Sequence, residues 1–275
     1  MLWNGNVVIS DGYGVGMLNR IGRYWRILAT GFSFTIFGIG GVFLRILIFP
    51  ILNMLIWEHE LRIALARQVI RSSFVFFIGV MRTLGVLSFT ISGLERLERK
   101  GLLIIANHPT LLDTVFLMSL VKRADCVVKS ELWNNPFTRG PVRSAGYINN
   151  TSSANLIKDC ITSLRKGSNL IIFPEGTRTP ADGAITLKRG AANIAVRGAR
   201  NITPITIRCT PSTLGKGDKW WQVPSRLMHF SIQIGEDIDI HPFIAESSNE
   251  VLAVRHLTNY LQDYFNKENK RHAFA

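Results

Sequence analysis

The chain changes its hydrophobic rhythm near residue 93. Before that point apolar residues come in long runs. Residues 27–44, ILATGFSFTIFGIGGVFL, carry no charge; Arg45 interrupts, and residues 46–57 continue the run. A bilayer-spanning helix needs about 20 apolar residues, so the first run is near that length. Arg20, Arg23 and Arg26 precede it and Arg62, Arg67 and Arg71 follow it, so both flanks are basic and charge sets no orientation. Two arrangements fit. One is a single transmembrane helix. The other is a helical hairpin dipping into one leaflet, with bends at Gly38, Gly40, Gly41 and Pro50 and both basic flanks on the same anionic surface. A buried helix in a soluble core is the third arrangement, and such cores seldom need so long an uncharged run. Residues 74–91 are also apolar but contain Arg82, and they are expected as a helix packed on the domain or at the interface.

Beyond Gly93 short apolar runs alternate with longer amphipathic ones. Residues 102–106 (LLIIA), 126–129, 169–173 and 202–207 read as buried strands, and 227–235 alternates like a strand covered on one face. Residues 111–121, 153–165 and 188–197 read as helices between them. Residues 249–266 read as a C-terminal helix with Ser248 as its N-cap. Strands alternating with helices predict an α/β fold, a layered sheet with flanking helices. The expected division is an apolar N-terminal helical, membrane-anchoring region over residues 1–92 and an α/β domain over residues 93–275.

Composition narrows the function. At 47% hydrophobic and 19% charged residues, a disordered or fibrous chain is excluded. The net charge is +13, and all of it lies in residues 1–200, beside the apolar segment. Basic and apolar together suit an anionic membrane surface or a phosphorylated ligand. A nucleic-acid binder has no use for the apolar N-terminus, so nucleic acid is not an expected partner. Cys126, Cys160 and Cys209 are widely spaced, which argues against a disulfide framework and a cysteine-rich zinc site and for inert thiols in a reducing compartment.

Two segments carry chemistry. Asn107-His108-Pro109-Thr110-Leu111-Leu112-Asp113 follows one strand and opens a helix, with Pro109 where a first helical turn accepts it. One helical turn brings Asp113 back beside His108. A carboxylate on one ring nitrogen fixes the imidazole tautomer and leaves the other nitrogen to accept a proton from a hydroxyl. Phe173-Pro174-Glu175-Gly176-Thr177-Arg178 follows another strand and compresses a carboxylate, a hydroxyl and a guanidinium around a flexible glycine. Glu175 can accept from a headgroup hydroxyl, and Arg178 can bind phosphate through two parallel hydrogen bonds. No cluster with metal-ligand spacing is evident.

The two segments together resemble the glycerolipid acyltransferases, the lysophosphatidic acid acyltransferase branch in particular. His108 to Asp113 is similar to the H-x-x-x-x-D signature of that family and Glu175 to Arg178 to its E-G-T-R block, 67 residues apart. Ile202-Thr203-Pro204-Ile205 looks like a further block, and Lys129 and Lys188-Arg189-Gly190 resemble basic positions of the branch. The resemblance covers residues 85–215. It implies transfer of an acyl group from acyl-CoA or acyl carrier protein to a hydroxyl of 1-acyl-glycerol-3-phosphate or a similar lysophospholipid, in phospholipid biosynthesis. His108 would be the base, Asp113 its orienting acid, and Glu175, Gly176, Thr177 and Arg178 the acceptor's contacts, with Lys129 and Asn150 beside them. No metal or cofactor is implied beyond the thioester co-substrate. Backbone amides at the helix start after His108 would stabilise the oxyanion. The implied location is the cell inner membrane with the site on the cytoplasmic face.

The sequence departs from the family at one position. Asn150 stands where the family's second block carries an arginine that helps bind glycerol phosphate. Arg139, Arg143, Lys129 or Arg178 would have to compensate, or the acceptor is not a plain glycerol phosphate. Residues 126–148 also resemble acyltransferases of bacterial aryl-polyene lipid pathways. Three alternatives therefore stay open: an acyltransferase for a specialised lipid, a hydrolase, and a non-catalytic membrane lipid-binding protein.

Overall fold

A strand covered on both faces reads as a continuous apolar run, whereas one covered on a single face alternates. The computed structural model, which describes residues 12–135, 138–150, 153–180 and 184–271, contains both kinds. The strands are β1 (Leu87–Ser92), β2 (Leu103–Ala106), β3 (Ala124–Val128), β4 (Ile148–Asn149), β5 (Asn169–Ile172), β6 (Ile202–Thr210) and β7 (Met228–Ile234). They form one sheet in the order β1-β7-β6-β2-β5-β3-β4. β6 and β7 are antiparallel and the other neighbours parallel. β2 is buried throughout, with Ile104 and Ala106 in one core and Leu103 and Ile105 in the other. β7 buries Met228, Phe230, Ile232 and Ile234 and turns Ser231 and Gln233 to solvent.

Helices cover both faces. In chain order they are α1 (Gly12–Phe43), α2 (Phe49–Leu55), α3 (His59–Thr83), α4 (Asp113–Leu120), α5 (Ser130–Asn134), α6 (Arg139–Ser144), α7 (Ser153–Arg165), α8 (Gly190–Gly198), α9 (His241–Ala245) and α10 (Glu250–Arg271). α3 and α4 pack on one face and α7, α8 and α10 on the other, so the expected layered α/β architecture holds.

Residues 74–91 do not form one helix. α3 ends at Thr83, Gly85 turns the chain at φ +70°, and LSFTIS becomes β1. The β-branched and aromatic residues of that segment suit a strand, but the partner that makes it one, β7, lies about 140 residues downstream. β1 therefore joins the sheet from within the stretch assigned by sequence to the N-terminal region. β4, two residues long, is too short for any periodic pattern.

The N-terminal segment is a helical hairpin. The helix continues through Gly38, Gly40 and Gly41, passes Leu44–Ile48 as a π-helical turn, and resumes as α2. The π turn falls just before Pro50, whose ring and missing N–H do not fit an uninterrupted α-helix. The reversal comes only at residues 56–58. α3 then returns antiparallel to α1: Trp25 Nε1 donates to the Leu84 carbonyl at 3.0 Å, and Phe34 and Phe37 pack on Phe77 and Phe74. Arg67, expected at an anionic surface, points inward. It pairs with buried Asp125 of β3 at 2.8 Å and bonds the Ala145 carbonyl and Ser168, which fastens α3 to the sheet. Residues 22–55 and 59–83 are both long and apolar enough to cross a membrane. α1 and the π turn expose Leu28, Phe32, Ile39, Phe43 and Ile46, an apolar stripe of the kind that marks a membrane or partner contact.

Candidate active site

Chain connectivity places the site. β2 and β5 are neighbours, paired at Ile105 and Ile172. The chain leaves β2 for α4 on one face and leaves β5 for α8 on the other. A crevice opens at the carboxyl ends of two such strands, where ligands of open α/β sheets bind. Both chemistry-bearing segments lie there.

Asn107 starts the first loop by extending the sheet. Its side-chain amide donates to the Ile207 carbonyl at 2.8 Å and its oxygen accepts from Ile207 N at 2.7 Å. His108 follows, and its Nδ1 lies 2.9 Å from Asp113 Oδ2. Asp113, with no exposed surface, also accepts from Thr110 N and Thr110 Oγ1, each at 2.6 Å. Leu112 N donates to Thr110 Oγ1 at 3.2 Å, so that hydroxyl's proton goes to Asp113. Three donors converge on one carboxylate, which assigns the His108 proton to Nδ1 and the lone pair to Nε2. Phe173 stacks under the imidazole at 4.3 Å and fixes the ring plane.

The route from His108 to Asp113 differs from the expected helical turn. α4 begins only at Asp113, and residues 110–112 form a tight turn closed by Thr110 on the carboxylate. The carboxylate satisfies the turn's amide, which a continuous helix would leave as an orphan donor. The amides expected to face an oxyanion are occupied. Thr110 N bonds Asp113, Leu111 N bonds the Leu214 carbonyl at 3.0 Å, and Leu112 N bonds Thr110.

The second loop braces the first. Glu175 is buried; its Oε1 accepts from His108 N and from Thr179 Oγ1, each at 2.9 Å, while Thr179 N donates to the His108 carbonyl at 2.7 Å. Its other oxygen, Oε2, is buried and has no hydrogen-bond partner among the described residues. Gly176 adopts φ +68°, and a Cβ there would lie 2.8 Å from Lys188 Nζ, so the Lys188 side chain rests on this turn. Arg178 Nη1 donates to the Leu214 and Gly215 carbonyls at 2.9 and 2.6 Å. Burial raises the carboxyl pKa of both acids above its ordinary value. For Asp113 the hydrogen bonds from His108 and Thr110 pull it back, and for Glu175 those from the His108 amide and Thr179 do so.

His108, Asp113, Glu175 and Arg178 thus belong to one connected network. Thr177, Lys129 and Asn150 lie outside it as exposed side chains. Lys129 precedes α5, and Asn150, just after β4, donates its backbone N–H to the Val128 carbonyl at 3.0 Å. Both sit at the carboxyl edge of β3 and β4, on the β5 side of the crevice. Among the described residues no group of three or more His, Cys, Asp or Glu is placed to hold a metal.

The Acyltransferase family model matches residues 88–208, from inside β1 to inside β6, and so spans both loops. Residues 88–208 belong to the acyltransferase family. Curated relatives of this acyltransferase domain include the chloroplast 1-acyl-sn-glycerol-3-phosphate acyltransferase of Arabidopsis thaliana, 27% identical over 136 residues, 47% of this chain and 38% of that protein. The Pseudomonas aeruginosa protein of the same name is 28% identical over 145 residues, 50% of this chain and 56% of that protein. The chain therefore spans about half the length of these relatives or less. The crystal structure of the 1-acyl-sn-glycerophosphate acyltransferase PlsC from Thermotoga maritima superposes with a TM-score of 0.63 at 19% identity, over 92% of this chain and 97% of that one, and shares the fold.

Sequence reasoning passed over Thr110 and Phe173 as site residues. Thr110 had a local signal, a hydroxyl three residues before a carboxylate in a loop that precedes a helix. Phe173 had none, because its stacking on His108 joins residues 65 apart. Lys188 stood out only as a basic position, and its approach to Gly176 is a tertiary contact.

Proposed function

We propose that this acyltransferase-family chain moves an acyl group from a thioester, on coenzyme A or acyl carrier protein, to the free hydroxyl of a 1-acyl-glycerol-3-phosphate-type lysolipid. The observation that carries the reading is the His108–Asp113 pair. Its carboxylate is buried and fully bonded, and its ring stands partly exposed at the open end of the sheet. His108 Nε2 takes the hydroxyl proton as the oxygen attacks the thioester carbonyl. Asp113 stabilises the imidazolium that forms. The C–S bond then breaks, and the imidazolium returns its proton to the departing thiolate. General-base catalysis of this kind contributes about 10²–10⁴ in rate. No covalent enzyme intermediate is needed.

Glu175 holds the His108 backbone through Oε1 and so keeps the first loop in register for the acceptor. The headgroup phosphate meets Lys188, the Arg178 nitrogens not used by the loop, and Lys129 on the same side of the crevice. The amides after His108 are already bonded within the protein, so they are not the donors that meet the developing oxyanion. The apolar hairpin supports membrane association, since acceptor and acyl chain are both bilayer-soluble, and its two apolar stretches, residues 22–55 and 59–83, are the anchoring part. Thioesters of coenzyme A and acyl carrier protein are cytosolic, which supports a reaction on the cytoplasmic face of the cell inner membrane.

The test is a panel of lysolipids, with and without phosphate, offered with each carrier to the purified protein. Lipid product is read by mass and thiol release by absorbance. Acceptor-dependent thiol release that disappears in His108→Ala supports transfer. Release without acceptor would identify a hydrolase, and no turnover with any pair would return the chain to the lipid-binding alternative.

A further inference from the structure

The 17 residues between β6 and β7 cross the mouth of the crevice as a strap. At one end it is fastened to the site. Leu214 is buried with φ +55°, a left-handed conformation unusual for leucine, and its carbonyl accepts from Leu111 N and Arg178 Nη1. Gly215 contributes a second carbonyl to Arg178. Two turns follow, one closed by Asp218 on Gly215 N at 2.8 Å and one by Gln222 on Lys219 N at 2.8 Å. Their tip carries Trp220 and Trp221.

The other end is fastened to the hairpin. The Trp220 ring lies on Gly31 of α1, where a Cβ would come within 3.2 Å, and the Arg26 guanidinium donates to the Ser225 carbonyl. Trp220 and Trp221 are nevertheless 45% and 49% exposed, and Trp25, on the same end of α1, is 54% exposed. Lys219 lies 5.2 Å over the Trp221 ring. Lys216, Lys219 and Arg226 outnumber the strap's one acid, Asp218, which is already engaged within its own turn. Exposed tryptophans among lysines and arginines, continuous with an uncovered apolar helix face, are the composition of a bilayer interface.

We propose that the strap is the protein's headgroup-level contact with an anionic phospholipid surface, and that Arg178 positions it over His108. The activity arm of the test rests on the acyl-transfer reading; the lipid arm does not. Trp220 and Trp221 set the depth of the crevice at the membrane, and the two carbonyls held by Arg178 carry that position to the turn before α4.

The full chain is incorporated into vesicles of phosphatidylglycerol and phosphatidylcholine, the latter brominated near the headgroup or deep in the acyl chains. The proposal expects shallow bromine to quench a tryptophan component that the double variant Trp220→Ser, Trp221→Ser lacks. It also expects transfer to a vesicle-borne lysolipid to fall about tenfold in that variant, with transfer to a short-chain acceptor in detergent micelles unchanged. Equal quenching in both proteins overturns the membrane contact, and so does a lowered melting temperature with equal loss in both assays. Arg178→Lys keeps the charge but cannot bridge two carbonyls, and it should alter the quenching profile. If it instead leaves quenching unchanged and raises only KM for phosphate-bearing acceptors, the positioning role is overturned.

Discussion

Asp113 and Lys188 serve the same two loops and are held in opposite ways. Asp113 has no exposed surface and accepts three hydrogen bonds, from the Thr110 amide, the Thr110 hydroxyl and His108. Lys188 is exposed, makes no ion pair among the described residues, and leans its chain on Gly176. A group that must orient a proton acceptor works best when its geometry is complete before substrate arrives. A group that must grip a mobile headgroup works best when its charge has not already been neutralised. Reaction geometry is therefore built into the core, and headgroup recognition is left to the rim.

Mutations can break this division. The largest effect is expected at the centre: His108→Ala should lower kcat by about 10²–10⁴ with an unchanged melting curve. Asp113→Asn should lower kcat comparably by disturbing the tautomer. Substantial activity in either protein would remove the base from the mechanism. Thr110→Val leaves Asp113 short of one donor, and loss of a buried partner costs about 1–3 kcal/mol. Denaturant unfolding should register that loss together with a lower kcat, and Thr110→Ser should restore both. At the rim the sign of the split reverses. Lys188→Ala should raise KM for a phosphate-bearing acceptor about tenfold, the loss of one charge-assisted hydrogen bond, while kcat holds; a kcat loss without a KM change would place Lys188 in the core group.

Smaller effects sharpen the same contrast. Asn150→Arg should lower KM for lysophosphatidate a few-fold if the rim lacks a cation there. The smallest effect concerns Glu175, whose carboxyl is raised by burial and only partly lowered by the His108 amide and Thr179. A raised folded-state carboxyl contributes stability below its ordinary pKa and loses it as pH rises through the folded value. The melting temperature of Glu175→Gln minus that of wild type should therefore become more positive from pH 5 to pH 8. A flat difference would mean that Glu175 titrates normally in the fold.

Much of the fold was legible because its central strands are covered on both faces. LLIIA and, after Asn169, LIIF are continuous apolar runs, and MHFSIQI alternates because β7 has one solvent face. β1 was not legible, since an apolar segment following an apolar helix has no local mark of a strand whose partner is distant. Of the positions that permit bends in the hairpin, Pro50 marks one and the three glycines do not, for a related reason. Glycine permits a bend without requiring one, whereas Pro50 forces a change in hydrogen bonding, and the π turn appears just before it. At the site, His108 with Asp113 and the Glu175–Arg178 turn were legible as side chains close in sequence. Their division of labour was not, because Glu175 braces a backbone 67 residues away and Arg178 holds carbonyls 36 and 37 residues away.

The sequence alone determined an alternating α/β pattern, an uncharged apolar N-terminus with basic flanks, and two short segments rich in proton-handling and anion-binding groups. These are properties of neighbouring residues, set by periodicity and side-chain chemistry. Only the tertiary structure decided that Asp113 is buried behind a Thr110 turn, that Phe173 stacks on His108, that Arg67 points inward, and that the strap links the crevice to α1. Each of those depends on distant segments meeting in the dense interior, where solvent is excluded and a polar group left without a partner is costly.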